Sequence, residues 1–231
     1  MTVAAVILAV TPESAVRVVE GVPNVRRLTD VAWAGGAIPI VVVAPDPDGA
    51  VRAALAGAEV TRAEAAPAEA GPVGQICRGI DVAVTLVAGT EAALVWPARM
   101  GWVDAETVTS LIEAHGSDRA RLLRPSFAGE GGWPALLPLA HLEALRGLAR
   151  DLLPDALLGE LAELVPTGLV ELGDPGVTHP LDTPRDALPP FEGPSEPASG
   201  RAYEWGAAVA GRADDAALDG PTVVPYGASG G

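Results

Sequence analysis

The N-terminal part of the chain contains short apolar runs that are separated by polar and turn-forming segments. Three of these runs, at residues 3–10, 38–44 and 92–96, consist mostly of Ala, Val, Ile and Leu. Apolar runs of this length, bounded by Pro and Gly, are typical of strands that are buried on both faces. We therefore predict that these runs, with a further strand from Leu122, lie in one mostly parallel sheet.

Helical periodicity appears between the apolar runs. Residues 104–115 place Val108, Leu111 and Ile112 on one face, and Gly116 is the expected stop of this helix. Strands that alternate with helices predict a layered α/β fold with helices on both faces of the sheet. Further helices are predicted at residues 50–56, 139–150 and 155–164, and further strands at 135–137 and 169–172.

The character of the chain changes near Leu188. From there Pro, Gly, Ala and Asp dominate, and apolar periodicity is weak. Segments of this composition cannot bury enough apolar surface to fold alone. We expect one domain at residues 1–188 and a disordered Pro/Gly/Ala-rich tail at residues 189–231.

The charge of the chain limits its partners. The formal net charge is −15, and every basic side chain other than histidine is an arginine. Such a chain repels nucleic acid and anionic membranes, so we expect neither as a partner.

The apolar start is too short to span a bilayer, which predicts a cytoplasmic protein. The single cysteine, Cys77, is expected to be a small buried hydrophobic residue in a helix rather than a reactive thiol.

Three segments in fixed order carry a family resemblance. Residues 93–107 resemble a strand, a Gly-Asp-Gln-Pro turn and the helix start that follows it, as found in molybdenum-cofactor cytidylyl- and guanylyltransferases. Residues 129–134 are similar to the G-x-x-G-x-P substrate loop of that family, and residues 174–186 to its closing D-x-D-T-P-E-D signature. The resemblance as a whole covers roughly the first 188 residues, and three motifs in the expected order indicate kinship.

The resemblance implies a Rossmann-like, GT-A type, three-layer fold that binds a nucleotide. Members of the family use Mg²⁺ to transfer a nucleoside monophosphate from CTP or GTP to the phosphate of molybdopterin. The chemistry requires amides and cations against the triphosphate and carboxylates that hold the metal. A partner in molybdenum-enzyme maturation would fit this family.

Several residues depart from the family pattern. The segment from Thr11 to Arg17 replaces a Gly- and Ser-rich loop, and the chain contains no lysine. Arg99 stands in the place of the metal-binding Asp, and a guanidinium cannot bind Mg²⁺. Pro180 replaces the first acid of the closing signature, whereas Asp182 remains. We expect a catalytically degenerate protein that binds or scaffolds. The alternative is an active Mg²⁺-dependent transferase in which Arg17, Arg26 or Arg27 meets the triphosphate and Asp182, with another acid, holds the metal.

The candidate cleft residues follow from these motifs. We expect Thr11, Pro12, Arg99, Gly132 and Trp133 to converge on one cleft at the carboxyl ends of the strands. Arg99 either pairs with Asp182, Asp174 or Asp186 or points to solvent, and Asp182 is either a metal ligand or, more simply, the cap of a helix near Pro184. No cofactor is expected unless the protein is active. The full candidate set is Thr11, Arg17, Arg99, Gly129, Gly132, Trp133 and Asp182.

The tryptophans and histidines offer weaker signals. Trp33 and Trp96 are predicted to lie in the core, whereas Trp102 and Trp133 could line a pocket or be core residues. The three histidines, His115, His141 and His179, have neither zinc-ligand spacing nor a nucleophile motif beside them. Ordinary structural roles are therefore expected for them.

Overall fold

The computed structural model describes residues 2–193. The main sheet contains eight strands. Seven of them lie side by side in the order β10-β7-β9-β6-β1-β4-β5, and the short strand β8 pairs with β7. A separate antiparallel pair, β2-β3, forms a small hairpin. The strands are β1 Thr2–Leu8, β2 Val18–Val19, β3 Val22–Pro23, β4 Ile40–Val43, β5 Thr61–Ala63, β6 Thr90–Pro97, β7 Leu122–Phe127, β8 Glu130–Gly131, β9 Ala135–Pro138 and β10 Thr167–Glu171.

Most neighbours in the main sheet run parallel, as the apolar runs predict. The strand β1 pairs in parallel with β4 on one side and with β6 on the other. The strand β9 runs antiparallel to both β6 and β7, so β6 and β7 point in the same direction. The predicted strands from Val3, Ile38, Ala92 and Leu122 therefore share one mostly parallel sheet, and this prediction is confirmed.

In the described part of the chain, seven α-helices surround the sheet. Ala4, Ala5, Val6 and Ile7 of β1 are all fully buried although their side chains alternate between the two faces, so helices cover both. The helix α4 packs so closely that a Cβ on its Gly79 would lie 2.2 Å from a methyl carbon of Val6. The helices are α1 Pro12–Val16, α2 Asn24–Ala34, α3 Ala50–Ala54, α4 Gly71–Leu86, α5 Ala105–Ser117, α6 Leu142–Arg146 and α7 Pro154–Leu164.

Two helix boundaries differ from the sequence prediction. The helix α5 continues through Gly116 to Ser117, and the Asp118 N–H donates to the Ala114 carbonyl. Gly116 is therefore not the stop, because its backbone stays helical. The helix expected at residues 139–150 is shorter: a 3₁₀ turn at Leu139–His141 precedes α6, which ends at Arg146.

Trp33 is the clearest error among the predicted core residues, because 51% of its surface is exposed. The buried positions of α2 include Val25, Leu28 and Ala32, which repeat at helical spacing. Trp33 follows Ala32 and is rotated about 100° away from that stripe. Trp96, by contrast, is fully buried in β6 as predicted.

The end of the described chain stays in contact with the domain. The Glu192 N–H donates to the Gly173 carbonyl over 3.1 Å, so the chain still lies against the sheet edge after residue 188. Most of the tail expected at residues 189–231 lies outside the described residues. Within the described part of the chain, no helix is long and apolar enough to cross a membrane.

Candidate functional site

The carboxyl ends of β1, β4 and β6 lie side by side and form the edge at which sheets of this kind bind ligands. Backbone hydrogen bonds join the segments that leave these strands: Ala98 N–H donates to the Leu8 carbonyl over 2.8 Å, and Ala9 N–H to the Val43 carbonyl over 3.0 Å. Because β9 is antiparallel to β6, its first residue lies at the same edge. Trp133 precedes β9 and therefore lies there too.

Asn24 is a positioning residue of this edge that the sequence does not reveal. It is fully buried at the start of α2, and its side-chain amide donates to the Ala98 carbonyl over 2.8 Å and to the Ser14 carbonyl over 3.3 Å. These bonds connect the segment after β1 with the turn after β6. The amide N–H groups therefore hold these two segments together, whereas the buried Asn24 Oδ1 has no partner among residues 2–193.

At the start of α1, hydrogen-bond donors of the loop after β1 already have acceptors within that loop. The Thr11 hydroxyl accepts from the Ser14 N–H over 3.2 Å, and the Ser14 hydroxyl donates to the Thr11 carbonyl over 2.8 Å. Hydrogen bonds from its own backbone and from Thr11 lower the pKa of the Glu13 carboxyl. Pro12 has no N–H to offer. An anionic side chain therefore stands at the first turn of α1, where the resemblance implies phosphate.

Arg17 pairs with Asp182 across this edge. The Arg17 Nη1 lies 2.7 Å from Asp182 Oδ1, and its Nη2 donates to the Leu181 carbonyl over 3.2 Å. The two side chains are 50% and 88% exposed, so the pair stabilises the fold by at most about 1 kcal/mol. The expectation that Asp182 caps a helix near Pro184 is wrong, because the 3₁₀ turn at Arg185–Ala187 has no side-chain cap.

Arg99 pairs with a residue that the sequence did not suggest. Its Nη2 donates to Asp155 Oδ2 over 2.8 Å, whereas Asp182 is held by Arg17. The expected pairs of Arg99 with Asp182, Asp174 or Asp186 are therefore wrong. The physical reason is that the Arg99 carbonyl, rather than its guanidinium, faces the closing motif and accepts from the Leu181 N–H over 2.8 Å.

Trp133 donates to the same carboxylate as Arg99, that of Asp155. Its indole Nε1 donates to Asp155 Oδ1 over 2.7 Å, while the side chain as a whole is only 2% exposed. Each oxygen of one carboxylate thus accepts a hydrogen bond, one from Arg99 and one from Trp133. The structure therefore brings Arg99 and Trp133 together, as expected, but through an intervening carboxylate on the first turn of α7.

The two loop glycines have different surroundings. A Cβ on Gly132 would lie 2.0 Å from the Val177 carbonyl oxygen, so only glycine fits where the substrate-type loop meets the closing motif. Gly129 has a φ of +80° and donates its N–H to the Glu171 carboxylate of β10 over 3.1 Å. Gly132 thus belongs to the cleft edge, whereas Gly129 belongs to the β7–β8 turn. Thr11 and Pro12 lie at the β1 end of the same edge.

Asp174, the first acid of the closing segment, is a buried anchor. Its carboxylate accepts from the Asp104 N–H over 3.0 Å, the Thr107 hydroxyl over 2.7 Å and the Gly176 N–H over 2.7 Å. Burial nevertheless raises the pKa of Asp174 above its ordinary value. Asp174 fixes the closing segment to the start of α5, which is a structural role.

A second concavity lies beside the hairpin, between α2 and α5. It has a volume of about 370 Å³ and is lined by apolar residues and by four charged ones, Glu20, Arg27, Asp30 and Asp104. The Arg27 guanidinium lies 5.3 Å from the centre of the Trp102 ring, and that of Arg185 lies 5.8 Å from it. Trp102 therefore contacts two cations instead of lining the candidate cleft.

The residues at the strand edge do not fit Mg²⁺. The position of the expected metal-binding Asp carries Arg99, and the remaining acid, Asp182, accepts a hydrogen bond from Arg17. Within residues 2–193, no group of three or more His, Cys, Asp or Glu side chains could hold a metal ion. Mg²⁺ takes hard oxygen ligands and a guanidinium supplies none, so this edge lacks the set of acids that the resemblance implies for the metal.

Comparisons with known proteins agree with the architecture. A family model described as MobA-like NTP transferase domain matches residues 13–164. None of the curated proteins matches this chain in sequence.

Solved structures resemble the fold at low sequence identity. Rv0371c of Mycobacterium tuberculosis H37Rv has a TM-score of 0.60 and 16% identity, with 74% of this chain and 89% of that chain covered. A cytidylyltransferase of Leptospira borgpetersenii has a TM-score of 0.60 and 13% identity, with 79% and 82% covered. The 4-diphosphocytidyl-2C-methyl-D-erythritol synthase of Anaerococcus prevotii has a TM-score of 0.56 and 12% identity, with 74% and 88% covered. These similarities establish the nucleotidyltransferase fold.

Proposed function

Because the chain belongs to the MobA-like NTP transferase domain family, we propose that it is a member that acts by binding and does not catalyse metal-dependent nucleotidyl transfer. One observation carries the proposal: Arg99 and Asp182, which stand at two of the positions where the resemblance implies a metal-binding carboxylate, each belong to an arginine–carboxylate pair, and Pro180 stands at a third. Each pair sets a guanidinium against a carboxylate with no metal between them. The two pairs are independent of one another, since they use different arginines and different acids.

The first pair removes the metal ligand of the turn after β6. Arg99 offers donors only, and its guanidinium is directed to Asp155 on α7. A cation that approached this position would meet a fixed positive charge. Charge repulsion at short range therefore opposes metal binding.

The second pair occupies the remaining acid. Asp182 Oδ1 accepts from Arg17, which also donates to the neighbouring Leu181 carbonyl. While this pair is intact, only the second oxygen of Asp182 can bind a metal. The resemblance implies further acids beside it, and Arg99 and Pro180 stand at those positions.

The loop after β1 supports the same proposal. Phosphates bind at a loop of this kind through free amides and a lysine or arginine. Here Thr11 and Ser14 cap each other, and Glu13 adds a negative charge at the helix start. A triphosphate would therefore meet few free donors and one repelling carboxylate.

A protein that acts by binding needs a partner. We propose that the partner belongs to molybdenum-enzyme maturation, because the motifs that survive are those of molybdenum-cofactor transferases. The net charge of −15 disfavours nucleic acid. We further propose that the protein works in the cytoplasm.

Pyrophosphate release tests the proposal. The full chain is incubated with CTP or GTP and MgCl₂, and release is compared with that in EDTA. We expect no release above the EDTA level. Magnesium-dependent release that is lost in Asp182→Asn, but kept in the matched surface variant Asp186→Asn, would contradict the proposal. It would favour an active transferase in which Arg17 meets the triphosphate and Asp182 holds the metal.

A further inference from the structure

The strand β10 lies at one end of the main sheet, and its outer side is open. It pairs with β7 on one side, and no other strand of the described chain lies beside it. Thr167, Leu169 and Glu171 are exposed, Leu169 to 57%. An open edge of this kind can pair with a further strand, because its backbone donors and acceptors are unused.

The hydrogen bonds to β7 show which backbone groups of β10 point outward. The Pro166 carbonyl accepts from β7 over 2.9 Å just before the strand, and the Leu172 N–H donates to β7 over 3.1 Å just after it. Because bonded residues alternate along a parallel strand, Gly168 and Val170 also bond to β7. The N–H and C=O groups of residues 167, 169 and 171 therefore point away from the sheet.

The open stretch is short and is symmetric about Leu169. The outward-pointing Gly173 carbonyl already accepts from the Glu192 N–H over 3.1 Å, so the position after β10 is closed. At the other end, the Arg121 guanidinium donates to the Thr167 carbonyl over 3.4 Å. A carbonyl oxygen has two lone pairs, so Thr167 can still accept a second hydrogen bond.

We propose that β10 is a self-association edge, at which a second copy of this chain adds its own β10 in antiparallel orientation. A two-fold axis at Leu169 would let the Leu169 N–H of each copy donate to the Leu169 carbonyl of the other. Thr167 of one copy would then lie opposite Glu171 of the second copy. The inference goes beyond the proposed function, because it involves neither a nucleotide nor a metal.

Exposed apolar side chains favour a second copy as the occupant. Leu164 lies three positions before β10 and is 62% exposed, whereas Phe191, next to the residue that bonds to Gly173, is 44% exposed. The two-fold axis brings the start of one β10 to the end of the other. Leu164 would therefore lie near Phe191 of the second copy, twice, with the two Leu169 side chains facing each other between these contacts. Burying exposed apolar surface in this way stabilises the pair.

The charges along the edge are compatible with this register. The acid Glu171 lies opposite Thr167 of the second copy, so two carboxylates do not face each other, which would be destabilising. Arg121, although paired with Asp118, is the charged group that reaches the Thr167 carbonyl. The net charge of −15 opposes association, but salt at about 0.15 M screens such repulsion beyond about 8 Å. We therefore expect a dimer that depends on protein concentration.

The proposed dimer leaves both candidate clefts open. In each copy β10 is parallel to β7, and the cleft lies at the carboxyl ends of the parallel strands. Because the two β10 strands would run in opposite directions, the clefts would open on opposite sides of the joined sheet.

Sedimentation equilibrium of the full chain tests the association. In 0.15 M NaCl, between about 1 µM and 1 mM protein, we expect the mass to rise from that of one chain to twice that value. Leu169→Pro should weaken the dimer by at least about tenfold, because it removes the outward N–H from both copies and costs no bond to β7. Leu169→Lys, a second variant in case the proline disturbs folding, should weaken it as well. The matched control Leu153→Lys changes a leucine that is 72% exposed at the start of α7 and should associate like the wild type.

Amide hydrogen exchange locates the interface. At low concentration the Leu169 N–H should exchange freely and the Val170 N–H, which bonds to β7, should be protected. At high concentration the Leu169 N–H should become protected too. A single-chain mass at every concentration would overturn the inference, as would a dimer that leaves the Leu169 N–H unprotected. Protection of this N–H that is equal at all concentrations would also overturn it, because the edge would then be filled within one chain.

The outcomes separate this inference from the proposed function. Pyrophosphate release by the wild type would overturn the proposed function without affecting the measured mass. A chain that stays monomeric would overturn the self-association edge and leave the non-catalytic assignment standing.

Discussion

Replacing His115 by leucine should remove a pH dependence of stability that a buried histidine creates. His115 lies in α5 and is 1% exposed, and neither ring nitrogen has a hydrogen-bond partner among residues 2–193. Burial is the main reason that the pKa of His115 is lowered. The folded protein therefore holds the neutral ring, whereas the unfolded chain binds a proton near the ordinary pKa of about 6.5.

The sign and size of the effect follow from this difference. Above about pH 6.5 the ring is neutral in both states, so the wild type has its full stability. Below that pH the unfolded chain takes up a proton that the folded protein does not, and the free energy of unfolding falls. The fall is at most about 1.4 kcal/mol per pH unit and ends below the lowered pKa of the folded state.

Urea denaturation between pH 5 and 8 measures this dependence. His115→Leu should flatten the curve below about pH 6.5, and at pH 7 it should be more stable by about 1 kcal/mol, because two unpaired buried nitrogens are gone. The matched control His141→Leu removes a histidine that contacts the Ala120 carbonyl and should keep the wild-type slope. A slope unchanged in His115→Leu would refute the reasoning.

Three other predictions concern the strand edge. Gly132→Ala should lower the free energy of unfolding by about 2 to 4 kcal/mol in urea, because its Cβ would collide with the Val177 carbonyl, whereas Gly159→Ala, in open space on α7, should be neutral or stabilising. Asp174→Asn should lower the free energy of unfolding by about 2 to 4 kcal/mol at pH 7, because the Gly176 N–H would then face an amide N–H instead of an oxygen. A loss under about 0.5 kcal/mol would contradict this. Arg99→Ala should change the melting temperature by no more than about 4 °C, because its pair is exposed, and added MgCl₂ should leave the wild type unchanged.

The centre of the sheet could be predicted from the sequence because β1, β4 and most of β6 are continuous apolar runs, whereas β5 and β8 carry no such signal. Val3, Ile38 and Ala92 each begin a run that ends at proline, glycine or a polar segment, and the strands formed where those runs lie. The helix α2 was not predicted, since buried Asn24 and Thr29 interrupt its apolar stripe. The Thr29 hydroxyl donates to the Val25 carbonyl within the helix, and the Asn24 amide donates to other segments, so both polar residues can be buried and disguise the periodicity.

The residues of the candidate site were predicted better than their partners were. Arg99 and Trp133 were placed at one edge from their motifs alone. Their shared partner Asp155 lies 56 positions from Arg99, on a helix whose docking no local pattern specifies. The same holds for Arg17 and Asp182, which are 165 positions apart. Pairings at such separations depend on how whole elements pack.

Calorimetry with CTP and with GTP tests the central claim most directly. The full chain is titrated with each nucleotide in MgCl₂ and again in EDTA. Losing three charge-assisted hydrogen bonds of about 1.5 to 3 kcal/mol each should weaken binding by several orders of magnitude, so we predict no measurable magnesium-dependent heat. Micromolar affinity that requires magnesium and disappears in Asp182→Asn would contradict the claim that this member of the family has no metal-dependent nucleotide site.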